Sequence, residues 1–593
     1  MSTDTSDPRY YHRVVDCQWA CPAHTNVPEY IRLIAQGRFT ESYLLNRQSN
    51  VFPGILGRTC DRPCEPACRR GRVDGKPVAI CRLKRVASDL RDHDDVRKRL
   101  PPIPKRKNGK RVALVGAGPA SLTVANDLAP LGYSVTIFEK LDRPGGLMRT
   151  NIPSFRLPSQ VLDDEVNMIL DMGVDIRYGT PIHSLKKLVE DSFDAVFVGS
   201  GAPRGKNLDV PGRYDSDRIH IGIDWLESVH FGHVTNVGER VLIIGVGNTA
   251  MDCCRSAKRI GARDVKVIGR KPRKYFKASP WELDDAEEEQ VDILENYSPL
   301  RFVIKDGKLT GMEFERFSSR EVNGKLEQTS LDRIILPCDD VILAIGQENA
   351  FPWIERDIGL DFERDMPKVD KVTFQSTRAG VFFGGDAAFG PENIIWAVEH
   401  GHQAAISIDA HCQQRPIHER PADRMQLHGT KMGLHEWSYS NDYSGAKRAK
   451  MEHVELEKRL TSLNLEVELG FSVAQTVAEV ERCLNCDVQT AFTESACIEC
   501  DACIDVCPMD CLTIAKIEPE PLMRTHLTAP AVNLKQPLLV SDVLKQTGRV
   551  MVKDEDVCLH CGLCAERCPT NAWDMQRFVL KHPHAIDVAK VPA

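Results

Sequence analysis

The sequence predicts a multidomain α/β protein: two nucleotide-binding units, a helical cysteine-bearing domain before them and a small α+β cysteine-bearing domain after them. Three observations carry this. "RVALVGAGPASLTVANDLAPLGYSVTIFEK" (111–140) and "GERVLIIGVGNTAMDCCRSAKRIGARDVKVIGR" (238–270) each run from an apolar strand through a glycine turn into a helix and a second strand. The 593 residues are too many for one core. The 21 cysteines gather at 17–81, 483–511 and 558–568, with only Cys253, Cys254, Cys338 and Cys412 between.

Composition excludes some classes of function. With 77 Lys+Arg against 84 Asp+Glu, the net charge of −7 gives no reason to expect nucleic acid as a partner. No run of about 18 apolar residues occurs, so no membrane span is expected. The start, "MSTDTSDPRYYHRVVD", is polar and lacks the apolar stretch of a signal peptide, which makes a cytoplasmic location the expectation. Clustered cysteines in a large chain of this kind point to metal rather than disulfides.

Taken in order, residues 22–98 are expected to be helical, because "VPEYIRLIAQGRFTESYLLNRQ" has apolar positions at three- and four-residue steps. "LPPIPKRKNGK" (100–110) is a basic, Pro-rich linker. The expected divisions are 1–109, a helical N-terminal domain; 110–235 and 345–412, two parts of one nucleotide-binding domain; 236–344, a second such domain; 413–482, a connector; and 483–593, the cysteine-rich tail.

In the first unit Gly116 and Gly118 allow a tight turn and a close approach to a pyrophosphate at a helix N-terminus. Ser121 stands where the pattern prefers Gly or Ala and is small enough to be tolerated. Glu139, about 20 residues on, can accept hydrogen bonds from ribose hydroxyls. Gly245, Gly247 and Ala250 repeat the geometry, but "VIGRKPRK" puts Arg270, Lys271, Arg273 and Lys274 where Glu139 sits in the first copy. A basic cluster there pairs with the 2′-phosphate of NADPH, so NADPH is expected over NADH; a solvated basic loop is the bland alternative. Further on, Gly384-Gly385-Asp386 follows an apolar strand and Asn393 precedes a helix.

These central segments, "GAGPASL", "RPGGL", "IPSFRLP", "GVGNTAMD", "GRKPRK" and "GGDAAFGPENIIWAV", resemble the FAD- and NADPH-dependent small subunit of glutamate synthase and its relatives. Among those relatives are the electron-input half of dihydropyrimidine dehydrogenase and the large subunit of NADH-dependent ferredoxin:NADP oxidoreductase. The resemblance implies two Rossmann-like domains, FAD in the first and NADPH in the second. It implies that Asp386 touches the FAD, that the helix after Asn393 faces the flavin ring, and that Gly146 and Asn248 belong to the cofactor sites. Disulfide reductases share this architecture but carry a paired cysteine beside the flavin. No C-x2-C or C-x4-C pair occurs between 82 and 482, and Cys253-Cys254 are expected to pack.

"CQWACPAHTNVPEYI" and "GRTCDRPCEPACRRG" resemble the helical iron–sulfur domain that precedes this core in the family. One 4Fe–4S cluster is then expected on Cys21, Cys60, Cys64 and Cys81, while a second on Cys17 and Cys68 lacks two ligands. "CIECDACIDVCP" (497–508) and "CLHCGLCAERCP" (558–569) share the spacing C-x2-C-x2-C-x3-C-P and resemble the bacterial two-cluster ferredoxin. Carried over, Cys497, Cys500, Cys503 and Cys568 hold one 4Fe–4S, and Cys558, Cys561, Cys564 and Cys507 the other. Zinc is the alternative, disfavoured because zinc sites rarely show two such runs each ending in Cys-Pro. Segment 512–557 is expected to be an insertion. Cys483 and Cys486 are left over, either without metal or completing the site of Cys17 and Cys68.

The resulting expectation is an NAD(P)H:ferredoxin-type oxidoreductase, free or as the flavin subunit of a larger enzyme such as a 2-oxoacid oxidoreductase, with ferredoxin or a catalytic redox subunit as partner. Two alternatives stay open: a glutamate synthase small subunit, against which the ferredoxin-like tail counts, and a non-enzymatic redox sensor or scaffold.

Overall fold

The computed structural model describes residues 1–4, 10, 15–422, 424–428 and 444–589. Its centre is a pair of five-stranded parallel sheets. In the first, the spatial order is Val381–Phe383, Ala195–Val198, Arg111–Val115, Ser134–Phe138, Asp175–Arg177. Arg111–Val115 and Ala195–Val198 are almost wholly buried, as strands must be when helices cover both faces of a parallel sheet. The second sheet repeats the order with Ile219–Ile221, Asp340–Leu343, Arg240–Ile244, Asp264–Gly269 and Asp292–Glu295. In each, chain order reverses beside the strand that ends in the glycine turn, which is where an open α/β sheet leaves a crevice for a ligand. The second sheet takes in Ile219–Ile221, upstream of the division expected at 236, because that strand pairs in register with Val341–Leu343.

The N-terminal domain is helical and docks on the first sheet's unit through a buried carboxylate. Glu165, on helix Ser159–Leu170, accepts from Gly54 N (2.7 Å), Ile55 N (3.0 Å) and the Tyr43 hydroxyl (2.9 Å). It thereby satisfies the free amides at the start of helix Pro53–Thr59, whose C-cap is Cys60.

The connector is tied to both ends of the chain. Arg424–His428 adds an edge strand to the C-terminal sheet by pairing with Arg577–Lys581. Glu466 accepts from Arg58 Nε at 2.7 Å and pairs with Arg85 at 2.9 Å; Glu468 pairs with Arg82, and Glu479 Oε1 accepts from Ala79 N at 2.7 Å. Part of the expected connector, 429–443, lies outside the described residues. In the C-terminal domain Val488–Phe492 pairs antiparallel with Trp573–Lys581, and the expected insertion supplies strands Leu539–Val540 and Val550–Lys553. The first residues return to this domain: Thr3 N donates to Val540 O at 2.7 Å. Among the described residues no helix is long and apolar enough to cross a membrane.

The second unit also holds a buried ion network. Glu289, with no exposed surface, accepts from Arg255 Nη2 at 3.0 Å and Arg259 Nη1 at 2.6 Å, and Arg259 lies 3.8 Å over the Phe155 ring. Burial opposes the Glu289 charge, but Arg259 and Arg255 prevail and bring its pKa down to about 2. A depressed carboxylate contributes stability that is present above its ordinary value and lost as pH falls toward the folded one. Stability should therefore drop by about 3 kcal/mol between pH 5 and pH 2 from this group alone. Glu289→Gln should cost about 3–5 kcal/mol at neutral pH by leaving two buried guanidiniums short of charge. Urea unfolding of the full chain across pH checks both, and a variant that unfolds like the parent would sink the claim.

Candidate functional site

At the first crevice Gly116 has φ +87°, Gly118 caps helix Pro119–Leu128, and both lie at the end of the central strand. The Glu139 carboxylate is drawn onto this turn, accepting from Ala117 N at 2.7 Å and Leu141 N at 2.9 Å, and each oxygen keeps a second acceptor site. The "RPGGL" loop lies over the turn: Gly145 N donates to Ala117 O at 2.9 Å, and a Cβ on Gly146 would stand 3.0 Å from Gly118 Cα. Ser121 is fully buried, and the room its hydroxyl takes is given up by Gly199, where a Cβ would fall 2.2 Å from Ser121 Oγ. Gly385 and Asp386 close the crevice from the last strand, with Glu392 N donating to Asp386 Oδ1 at 3.0 Å. Burial pushes the Asp386 carboxyl up to about 6. Among the described residues Ser200 Oγ and Asn349 Oδ1 are buried here without a partner. Such orphans beside a glycine turn, an acidic residue and a helix N-terminus suit a dinucleotide.

At the second crevice Gly245 has φ +131°, and a Cβ there would fall 2.1 Å from Ala344 O. Gly247 caps helix Asn248–Arg259, and Ala250, Cys253 and Cys254 are buried in the core beneath it. The basic loop splits in two. Arg273 pairs with Glu287 (2.9 Å from Nη2) and Lys274 with Glu321, so those two charges are already answered. Arg270 and Lys271 are exposed and have no carboxylate partner among the described residues, which leaves them for an anion.

The two crevices meet at a residue the sequence reading passed over. Asp61, one position after Cys60, accepts from the Asn248 amide at 3.3 Å and is hydrogen-bonded to Asn393. Asn248 also accepts from Ser279 N at 2.8 Å, and Asn393 caps helix Ile394–Cys412 by accepting from Trp396 N at 3.3 Å. The neighbouring Arg62 lies 3.9 Å over the Trp281 ring. A charged residue between two cysteines ("CDRPC") that two separate motifs can reach was the only signal.

Behind Asp61 the structure gathers Cys21, Cys60, Cys64 and Cys81 around the buried Lys84. Burial works against the Lys84 charge, yet Cys81, Cys60, Cys21 and Cys64 hold its ammonium above the ordinary lysine value. Hydrogen bonds from Cys60 and Cys64 pull the Cys81 thiol well down, while the same contacts with Cys81 push the Cys60 and Cys64 thiols up. In the tail, Cys497, Cys500, Cys503 and Cys568 line one cavity of about 310 Å³, and Cys507, Cys558, Cys561 and Cys564 another of about 330 Å³. The second also contains Cys511, 3.6 Å from Cys507, a fifth cysteine to which the sequence reading gave no role. Lys553, fully buried, stands beside it on Glu555 (2.7 Å) and Thr490 (2.8 Å). The N-terminal quartet with Lys84 and the inner tail quartet with Lys553 suit an anionic iron–sulfur cube, and the outer tail quartet offers four cysteines in a pocket with no cation among its described lining residues. Cys17 and Cys68 lie apart from Cys81 and its partners, lining a third cavity together with Cys483 and Cys486.

Residues 110–401 match the model described as pyridine nucleotide-disulphide oxidoreductase, 11–96 that of dihydropyrimidine dehydrogenase domain II, 4Fe-4S cluster, and 496–572 that of the 4Fe-4S dicluster domain. The NADPH-Fe(3+) oxidoreductase subunit beta of Geobacter sulfurreducens is 34% identical, over 82% of this chain and 77% of its own. The NADP(+)-dependent formate dehydrogenase subunit beta of Moorella thermoacetica is 34% identical over 79% and 70%. The glutamate synthase [NADPH] small chain of Escherichia coli is 30% identical over 66% and 87%.

Because Gly245 has both a positive φ and no room for a Cβ, Gly245→Ala should weaken nucleotide binding at the second crevice at least tenfold. Isothermal titration with NADPH measures this, and unchanged affinity would contradict the close approach.

Proposed function

We propose, from the premise that this chain belongs to the family of FAD- and NAD(P)H-dependent oxidoreductases that includes the glutamate synthase small chain, that it moves electrons between NADPH and a partner redox protein through FAD and cysteine-held 4Fe–4S clusters. The observation that carries this reading is the Asp61 bridge. A residue adjacent to the cluster ligand Cys60 joins Asn248 of the second glycine turn to Asn393 at the start of the helix Ile394–Cys412. Hydride exchange between two cofactors would take place at that junction, and the cysteine wire would begin there.

FAD, when bound, takes up a hydride as an electron pair and gives electrons back singly, as 4Fe–4S clusters require. The chain's part is to bind, orient and insulate. The Gly116 turn and the start of helix Pro119–Leu128 receive a pyrophosphate, and Glu139 receives ribose hydroxyls. Arg270 and Lys271 answer a 2′-phosphate. Lys84 and Lys553 offset the negative charge of the buried thiolates. The last station is at the surface: Cys500 is exposed, as is Ile498 beside it.

The relatives are named as subunits or chains of larger enzymes, which supports a place for this chain in a hetero-oligomer. We take the partner to be ferredoxin or a catalytic redox subunit that docks at the Cys497–Cys503 face in the cytoplasm. The division of the chain into 1–109, 110–235 with 345–412, 236–344, 413–482 and 483–593 is kept as a proposal, with the strand at 219–221 reassigned to the second nucleotide unit.

Anaerobic titration of the iron-loaded chain with NADPH should bleach both flavin and cluster absorbance. If NADPH, NADH and reduced ferredoxin all fail to do so, the proposal fails; if only reduced ferredoxin does, the wire normally runs toward NADP. Arg270→Ala with Lys271→Ala should raise the KM for NADPH about tenfold to a hundredfold, from contacts worth about 1.5–3 kcal/mol, and leave that for NADH in place. Equal losses with both nucleotides would remove the 2′-phosphate role.

A further inference from the structure

Cys483 and Cys486 belong to neither ferredoxin-type run, and Cys17 and Cys68 have no cysteine partners of their own within the N-terminal domain. The fold brings the four together. They line a pocket of about 360 Å³, close in size to the two pockets of the tail quartets at about 330 and 310 Å³. Its remaining wall is apolar (Val27, Ile31, Val78, Ile80) apart from Asp16, Arg69 and Arg70. We propose that Cys17, Cys68, Cys483 and Cys486 hold a fourth 4Fe–4S cluster, shared between the two ends of the chain. It would pass electrons from the Cys21, Cys60, Cys64, Cys81 site to the site containing Cys558. This rests on the electron-transfer reading given above.

Geometry separates a cubane from a single zinc ion. Four thiolates on tetrahedral zinc stand about 3.8 Å apart, from a Zn–S bond of about 2.3 Å. Among the described residues no three of these sulfurs fall within 4.8 Å of one another. They surround a volume instead of converging on a point.

Backbone conformation gives a second argument. In each established-type run the amide two residues after a cysteine turns back onto its sulfur through a residue with positive φ. Arg62 (φ +56°) donates to Cys60 at 3.4 Å, Glu499 (φ +55°) to Cys497 at 3.4 Å, and His560 (φ +57°) to Cys558 at 3.3 Å. Cys483 has the same arrangement, with Asn485 at φ +47° and its amide hydrogen-bonded to the sulfur. A leftover C-x2-C thus has the backbone of a cluster loop.

Charge and placement agree. Arg70, 2% exposed, has Nη1 buried and without a partner among the described residues, on the wall of this cavity. Arg69, on the same wall, donates to Cys558 O at 2.5 Å and so joins it to a ligand of the next site. On the other side, Tyr30 lies among Cys64, Cys81, Cys17 and Cys21 and donates to Ile80 O at 3.0 Å, the residue before Cys81. The C-terminal pair is held in place by Arg482, which is fully buried and donates to Lys76 O at 2.6 Å and Ala446 O at 2.6 Å. Each passage moves one electron: the preceding cluster is oxidised by one as this one is reduced by one, which the next then takes up. No bond is made or broken, and two passages account for one hydride.

Iron and acid-labile sulfide are to be counted on the full-length chain after anaerobic reconstitution, with zinc measured alongside. Four cubanes give about sixteen irons per chain, and three give about twelve. Cys483→Ser with Cys486→Ser should lose about a quarter of the iron and sulfide. Cys17→Ser, from the far end of the sequence, should lose the same quarter, and the triple variant no more. An unmodified chain holding about twelve irons overturns the proposal whether or not the variants fold, as does stoichiometric zinc or a variant that keeps the parent's iron. NADPH bleaching of the flavin in the unmodified chain tests the parent reading separately. Bleaching with twelve irons sinks only the fourth cluster; sixteen irons without bleaching sinks only the NADPH reading.

Discussion

The arrangement of this chain depends on where Arg69 puts its guanidinium. The side chain is 1% exposed, pairs with Asp16 and donates to the backbone carbonyls of Glu555 (2.6 Å) and Cys558 (2.5 Å). A buried guanidinium short of partners is costly, so its five donors fix the N-terminal helical domain against the tail in one orientation. Asp16 precedes Cys17, Arg69 follows Cys68, and the Cys558 carbonyl belongs to the inner tail quartet. One cation therefore sets the relation between three cysteine-bearing segments that are far apart in sequence. His560 completes the seam, 3.3 Å from Arg69 and hydrogen-bonded to Glu555.

The same logic recurs at two of the cysteine clusters. Lys84 sits among the four cysteines nearest the nucleotide crevices, and Lys553 beside the inner tail quartet. Buried lysines are normally pushed toward neutrality, and here the surrounding anionic groups outweigh desolvation and hold them charged. Each buried lysine depends on the groups around it: removing them leaves an uncompensated charge in a dry interior. The arginines of the N-terminal helices are handled alike, with Glu466 and Glu468 of the connector supplied from outside the domain. That is why a polar stretch of sequence becomes a strap.

Much of this was legible beforehand, and the limits have physical causes. Both glycine turns, their parallel strands and both tail runs could be read because each depends on local geometry at short spacing. Of the four basic residues at 270–274, sequence could not divide Arg270 and Lys271 from Arg273 and Lys274. The carboxylates that claim the latter, Glu287 and Glu321, arrive from a helix and an antiparallel arm. Asp61 was passed over for the same reason, since its partners Asn248 and Asn393 are more than a hundred residues away. Cys511 was given no role because the run looked complete at Cys507-Pro508. The strand at 219–221 looked like part of the preceding unit because a short edge strand carries little pattern of its own. The partnership of Cys17 and Cys68 with Cys483 and Cys486 was one of two open readings, and only tertiary structure brings them to one cavity.

That cavity also bears on how the molecule is made. Its walls come from residues near 17 and 68 and from residues near 483, so it does not exist until most of the polypeptide has been synthesised and the strap has closed. Closing a loop of about 400 residues costs roughly 5 kcal/mol of chain entropy. The Arg482, Glu466 and Glu468 contacts must meet that cost before anything is bound. The sites within one segment can be assembled while the chain is still emerging. Filled as proposed, this one would report that both ends have found each other.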